Sequence, residues 1–414
     1  MKSSLRKHIL FTLALLALVS CSTWAAREEL VVWQWEAHSK AAWAQWLDYA
    51  KQTFEAKHPE IEVVYQYVPV SPDRFILAAS ANVMPDVAVV SVAYALDLYT
   101  SGLLQPLNEY FERTPDLKRA FLPVTQLFNQ RDGVIYGATN SLEATSILYN
   151  HQHFFEAGLS VDPLAIESWD DFASVVRKLT RVNSDGSLTR AGYHETMHAE
   201  SYFPWLYSNN ATFFNDQQTK ATFNTQEGRQ ALRFQQELWN ITRAASGFSV
   251  DFVKGNASMV RMKTAVMHLP GLDELEFGQT STPMGPAGNK RGSMAWGNMY
   301  VIPTGAKRPE MAWEWITHYL DFDNQISQFE IMGMPFSPRR DVYLSSAFRR
   351  AAEEHGYMAT ALDIFQIAGV YPFNQAIPIF SAINPVLRQV YLNELAPDTA
   401  IEQMESTVNR LVSR

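Results

Sequence analysis

From about residue 30 onward, short apolar runs alternate with amphipathic stretches in a strand–helix–strand rhythm. Leu30-Val31-Val32-Trp33 is continuously apolar and of strand length, the pattern of a strand buried on both faces. Trp43, Trp46, Leu47, Ala50 and Phe54 then recur at helical spacing and predict an amphipathic helix. Ile61, Val63, Tyr65 and Tyr67 alternate as a second strand, and Val87 to Val92 forms a third, after Met84-Pro85-Asp86. This order predicts an α/β fold with a parallel sheet.

Later segments follow the same rules. Ser168-Trp169-Asp170-Asp171 reads as a capping box, ahead of Phe172, Val175, Val176 and Leu179 on one face. Asn224 is expected to cap a helix carrying Leu232, Gln235, Leu238 and Trp239. Pro309 marks the first turn of a helix with Met311, Trp315 and Tyr319, and Asp398 precedes Ile401, Met404, Val408 and Leu411. Strand-like runs return at Ala265-Val266-Met267 and Met299-Tyr300-Val301-Ile302, so the chain is expected to cross between two sheets more than once.

The first residues are an address rather than structure. Lys2, Arg6 and Lys7 precede an apolar stretch from Ile9 to Val19, too short for the roughly 20 residues of a membrane span. Two processing readings fit. Leu18-Val19-Ser20-Cys21 is lipobox-like, with Cys21 as the acylated first residue, whereas Thr23-Trp24-Ala25 offers cleavage after Ala25, which makes 1–25 the export signal. The sole Cys excludes an intrachain disulfide framework. A length of 414 residues predicts two lobes, and a net charge of −9 argues against a nucleic-acid partner.

Seven short motifs then occur in a familiar order. Asn82 to Val87 with Ser101-Gly102-Leu103-Leu104-Gln105-Pro106-Leu107, Gly133 to Gly137, and Leu148-Tyr149-Asn150 with Phe154 to Leu159 come first. Ser168 to Phe172, Lys263 to Met267 with Gly271, and Pro309 to Ile316 follow. Over about residues 30–412 the chain resembles the family 1 extracellular solute-binding proteins, the sugar receptors of ABC importers. The resemblance implies a type II periplasmic-binding-protein fold: α/β, two lobes, each a mainly parallel sheet flanked by helices, with a ligand cleft between them. Carried onto this chain, it implies a first lobe of 27–142 with 293–336 and a second of 143–292 with 337–414. It also implies a carbohydrate ligand, membrane permease subunits as partners, a monomer, no cofactor, no catalysis, and a place in the periplasm or on the extracytoplasmic membrane surface.

Sugar rings offer C–H faces to aromatics and hydroxyls to carboxylates and amides. Ligands in α/β sheets lie beyond the carboxyl ends of the strands. That selects Trp35, Glu36 and His38 after the first strand and Tyr94 after the third. The resemblance adds Glu143 at a lobe crossing, and Glu200, Tyr202 and Trp205 in an acidic–aromatic segment. It adds Trp296 and Gly297 at a second crossing, where ligand would lie close to the backbone, and Gly271 after Leu269-Pro270. Arg339 reads as a solvated surface charge, and Gly285 to Gly292, with Lys290 and Arg291, as a mobile loop.

One enzymatic motif competes. His194-Glu195-Thr196-Met197-His198 spells H-E-x-x-H, which on a helix would place two zinc ligands on one face with Glu as general base. Gly192 and Pro204 leave little room for that helix, and a polar stretch at the end of a strand is the simpler expectation.

Overall fold

A computed structural model describes residues 27–34, 41–69, 71–242, 251–264, 271–370 and 375–413. The expected strand at Ala265-Val266-Met267 and the processing sites at Cys21 and Ala25 lie outside these residues. No helix among the described residues is long and apolar enough to cross a membrane.

The chain begins with the predicted β-α-β unit: β1 (Glu28–Gln34), α1 (Ala41–Lys57) and β2 (Ile61–Tyr67). Trp46, Leu47, Ala50 and Phe54 are buried on α1, as their spacing requires. β3 (Val87–Ser91) leads directly into α2 (Val92–Thr100), with Ser91 as the N-cap. β1 pairs in parallel with both β2 and β3.

From there the sheet changes character. β4 (Ala138–Asn150) is a 13-residue strand, followed later by α3 (Trp169–Leu179), α4 (Ala199–Ser208) and α5 (Gln226–Thr242). α3 starts at the predicted Ser168–Asp171 capping box. The Oγ that meets the first turn of α5 belongs to Thr225, which accepts from the Gly228 amide, whereas the Asn224 side chain bonds Glu405. β5 (Met259–Lys263), β6 (Phe277–Thr280) and β7 (Met294–Val301) all run antiparallel to β4. β7 also pairs antiparallel with β3, while β8 (Gly369–Val370) pairs parallel with β7. Apart from the short β7–β8 pair, the parallel ladders therefore lie around β1, and the other ladders of this eight-stranded sheet are antiparallel because the chain returns across it. Helices α6 (Pro309–Tyr319), α7 (Ala376–Tyr391) and α8 (Pro397–Val412) complete the elements used below.

Three apolar cores fill the fold. One joins α1, β1, β2 and α6 through Trp46, Phe54, Trp315 and Tyr319. A second joins α3, α4, α5, α7 and α8 through Trp169, Trp205, Trp239 and Tyr391. The third contains Trp33 and Phe75 together with Leu148, Val260, Tyr343 and Phe365, and so joins segments far apart in the chain. Trp296 of β7 packs against the second and third cores at once.

Two loop expectations change. Arg291 is anchored by Ser281 Oγ at 2.8 Å and the Ile166 carbonyl at 2.7 Å, and burial pulls its pKa down to about 10. The segment 285–292 is therefore tied to its neighbours rather than a free loop. Arg339 is 11% exposed and grips Asp341 at 2.9 and 2.6 Å, so it is a paired, largely buried residue and not a solvated charge.

Candidate functional site

The central strands are buried on both faces except along one stripe. In β4 the only half-exposed residue is Glu143, in β3 it is Ser91, and in β7 they are Trp296 and Asn298. Register brings them together: Trp296 lies opposite Glu143, and Asn298 lies opposite Ser141 on one side and Ser91 on the other. The Asn298 amide donates to Ser141 Oγ at 3.2 Å. An indole, a carboxylate, an amide and a hydroxyl therefore stay half-exposed on strands that are otherwise buried.

The stripe ends where β4 exchanges partners. β7 pairs with β4 as far as Ala144, and β5 takes over at Thr145, which lies opposite Lys263. Thr264 closes the junction through backbone and hydroxyl bonds to Ala144. Lys263 Nζ lies 2.9 Å from Glu143 Oε2 and 5.1 Å from the centre of the Trp296 ring. An indole face, a carboxylate and an ammonium thus meet at one point, all on β-strands, which hold them rigidly.

The other expected residues fall into three groups. Trp35, Glu36 and His38 lie outside the described residues. Tyr94 is half-buried in the first turn of α2, just after Ser91, and burial pushes its phenol up to about 12. Glu200 is partly exposed in the first turn of α4, 3.9 Å from His198 Nδ1, where a carboxylate also suits the helix N-terminus.

Tyr202 and Trp205 are corrections. Both are fully buried in the second core, so neither offers a ring face to a ligand. The Tyr202 hydroxyl donates to the Gly228 carbonyl at 3.0 Å, and the Trp205 indole to Glu195 at 3.1 Å. A Cβ at Gly297 would come within 2.1 Å of the Ser141 carbonyl oxygen on the neighbouring strand, so the strand pairing itself requires glycine there. Gly271 sits at φ 82° before a single 3₁₀ turn, Leu272–Glu274, a backbone position that favours glycine whatever binds nearby.

The H-E-x-x-H segment is not a metal site. His194 is in an extended bridge with Val260, and His198 is the N-cap of α4, so the two imidazoles do not share a helix face. Glu195 is 2% exposed and accepts from Tyr193, Trp205, Gln235 and Arg261. Its carboxylate is committed to that buried network and has no freedom to act as a base on water. Among the described residues no three His, Cys, Asp or Glu side chains gather to hold a metal.

Sequence reasoning missed Lys263, Asn298 and Ser91 as parts of the stripe. The available signal was the alternation Met259-x-Arg261-x-Lys263, cations on one face of a strand entering an apolar core.

Comparison with known proteins agrees with this architecture. An arabinooligosaccharide-binding protein of Halalkalibacterium halodurans is 26% identical over 163 residues, 38% of this chain; the match spans 34% of that relative's length. The cyclic α-maltosyl-1,6-maltose binding protein of Arthrobacter globiformis superposes with a TM-score of 0.82 at 19% identity, covering 93% of this chain and 99% of that one. The sugar-binding protein MalE of Xanthomonas citri gives 0.76 at 18% identity, covering 93% and 97%. At these identities the structural likeness establishes the two-lobe fold. The sequence matches the bacterial extracellular solute-binding protein family over residues 37–326. The chain belongs to this family of bacterial extracellular solute-binding proteins, which are binding proteins that work outside the cytoplasm.

Proposed function

We propose that the chain is the carbohydrate receptor of an ABC importer and that it binds a sugar or oligosaccharide against the stripe of Trp296, Glu143, Asn298 and Ser91. The observation that carries this reading is the stripe itself: an aromatic face and hydrogen-bonding groups, half-exposed on strands β3, β4 and β7, which are otherwise buried. That is the donor, acceptor and stacking set a polyhydroxylated ring requires. The names of the relatives, which bind arabinooligosaccharide or maltose-type sugars, support the same class.

In this reading the lobes are 27–142 with 293–336 and 143–292 with 337–414, and the crossing strands β4 and β7 form the hinge. Sugar that touches both lobes favours closure by its differential affinity for the closed form, and no bond is made or broken. The closed monomer delivers its sugar to permease subunits in the membrane, and Cys21 or the Ala25 cleavage point sets whether it is anchored. Tyr94 and Glu200 border the ligand, with Trp35, Glu36 and His38 contributing from the first strand end.

Thermal denaturation with maltose, maltotetraose, cyclic α-maltosyl-1,6-maltose and arabinotriose tests this. A bound sugar at a hundred times its Kd stabilises the fold by about 2.7 kcal/mol, read as a raised midpoint. Unchanged midpoints together with unchanged small-angle scattering would remove the receptor reading.

A further inference from the structure

This inference rests on the receptor reading and adds to it a residue and a ligand feature. We infer that Lys263 contacts the sugar directly, and that Lys263 and Glu143 together select a ring carrying two neighbouring free hydroxyls, laid with its C–H face on Trp296.

An ammonium has three donors, and a carboxylate has two acceptor oxygens with about four lone-pair sites. The 2.9 Å contact between Lys263 and Glu143 engages one donor and one oxygen. Lys263 remains 55% exposed and Glu143 21% exposed, so the rest of both groups faces solvent. Neighbouring ring hydroxyls lie about one hydrogen-bond length apart, and each is both donor and acceptor. One accepts from Lys263 while the other donates to Glu143, which matches the spacing of the ion pair. The Trp296 ring beside the ammonium supplies the apolar surface for the ring's C–H face.

Two residues earlier on the same strand, Arg261 shows the same arrangement with protein groups taking most of the free capacity. Its guanidinium is 3.0 Å from Glu195 and 5.2 Å from the Trp205 ring centre. There the Tyr193 hydroxyl, the Trp205 indole and the Gln235 amide also donate to Glu195, and Arg261 Nη1 donates to the Thr282 hydroxyl, while Arg261 Nη2 is buried without a partner. Sugar hydroxyls take the corresponding places at Lys263. The Lys263–Glu143 pair carries no net charge, so a neutral ring suits it better than a phosphorylated or uronic one.

The test is isothermal titration of the mature chain with maltose, maltotetraose, cyclic α-maltosyl-1,6-maltose and arabinotriose, followed by monodeoxy analogues of the tightest binder. Lys263→Met is expected to weaken binding about tenfold or more, and Lys263→Arg, which keeps donors and charge, only a few-fold. Removing either of two adjacent hydroxyls is expected to weaken wild-type binding, with Lys263→Met insensitive at one of them. The midpoint of Lys263→Met without sugar controls for folding, and Lys263→Arg carries the comparison if that variant is unstable. Equal or tighter binding by Lys263→Met, or loss of affinity only for non-adjacent hydroxyls, overturns the inference while leaving the receptor reading intact. Tighter binding of the 6-phosphate of the best sugar also overturns it. Wild type that binds none of the four sugars removes the receptor reading and this inference together.

Discussion

Strand β5 carries two cations two residues apart, each beside a glutamate and an indole, and the two sets have opposite fates. Arg261, Glu195 and Trp205 are sealed: the ion pair is 5% and 2% exposed, and four protein donors converge on the carboxylate. Lys263, Glu143 and Trp296 are open, with the ammonium 55% exposed. Residues 261 and 263 share a strand face, so the difference is position along it: one lies under α4 and α5, the other where β4 changes partners. Identical chemistry becomes scaffold when a helix layer covers it and becomes a candidate contact surface when the layer stops.

Removing each cation in turn should separate the two sets most widely. Arg261→Met leaves Glu195 buried and unpaired and is expected to cost about 3–5 kcal/mol of stability by urea denaturation. Lys263→Met is expected to cost less than about 1 kcal/mol, because solvent screens its pair. Equal losses would show that the two sets are not different in kind. The indoles should divide the same way. Trp205→Ala is expected to lose about 3–5 kcal/mol of stability through the cavity it leaves.

Trp296→Ala should instead show its main effect in binding, about 1–3 kcal/mol of sugar affinity by titration calorimetry. Gly297→Ala probes the strand beneath the open set. The added methyl meets the Ser141 carbonyl, and the strands must separate, for an expected loss of about 1–3 kcal/mol in denaturation midpoint analysis.

The smallest effect is a pH slope at the sealed end. Burial lowers the pKa of His194 below its ordinary 6.5, against the opposing pull of Glu195. Below 6.5 the unfolded chain therefore takes up a proton that the folded chain does not. The stability His194 contributes is present above that pH and is lost as pH falls toward the folded value. Denaturation at pH 7.5 and 5.5 should show this loss, and His194→Gln should reduce it.

Much of the fold was legible. The strand and helix positions at 30–33, 61–67, 87–91 and 169–179 followed from periodicity and capping, because local side-chain spacing fixes which face is buried. Glu143 and Trp296 stood out because a carboxylate and an indole sit at strand crossings, and the structure sets them opposite one another. Tyr202 and Trp205 misled. An acidic–aromatic string reads alike whether its rings line a cleft or fill a core, and only the packing of α4 between α3, α5 and α7 shows that these are core. The H-E-x-x-H spacing was set aside for a related reason, since its chemistry depends on a helix that this segment does not form.

The α/β alternation and the supply of aromatic and carboxylate groups were readable from the chain alone, because these depend on composition and on neighbours a few residues away. The tertiary structure alone decided that Lys263 meets Glu143, 120 positions earlier, and that Arg261 is covered while Lys263 is not. Pairing across strands and burial under helices are set by which distant segments pack together, and no local pattern encodes that choice.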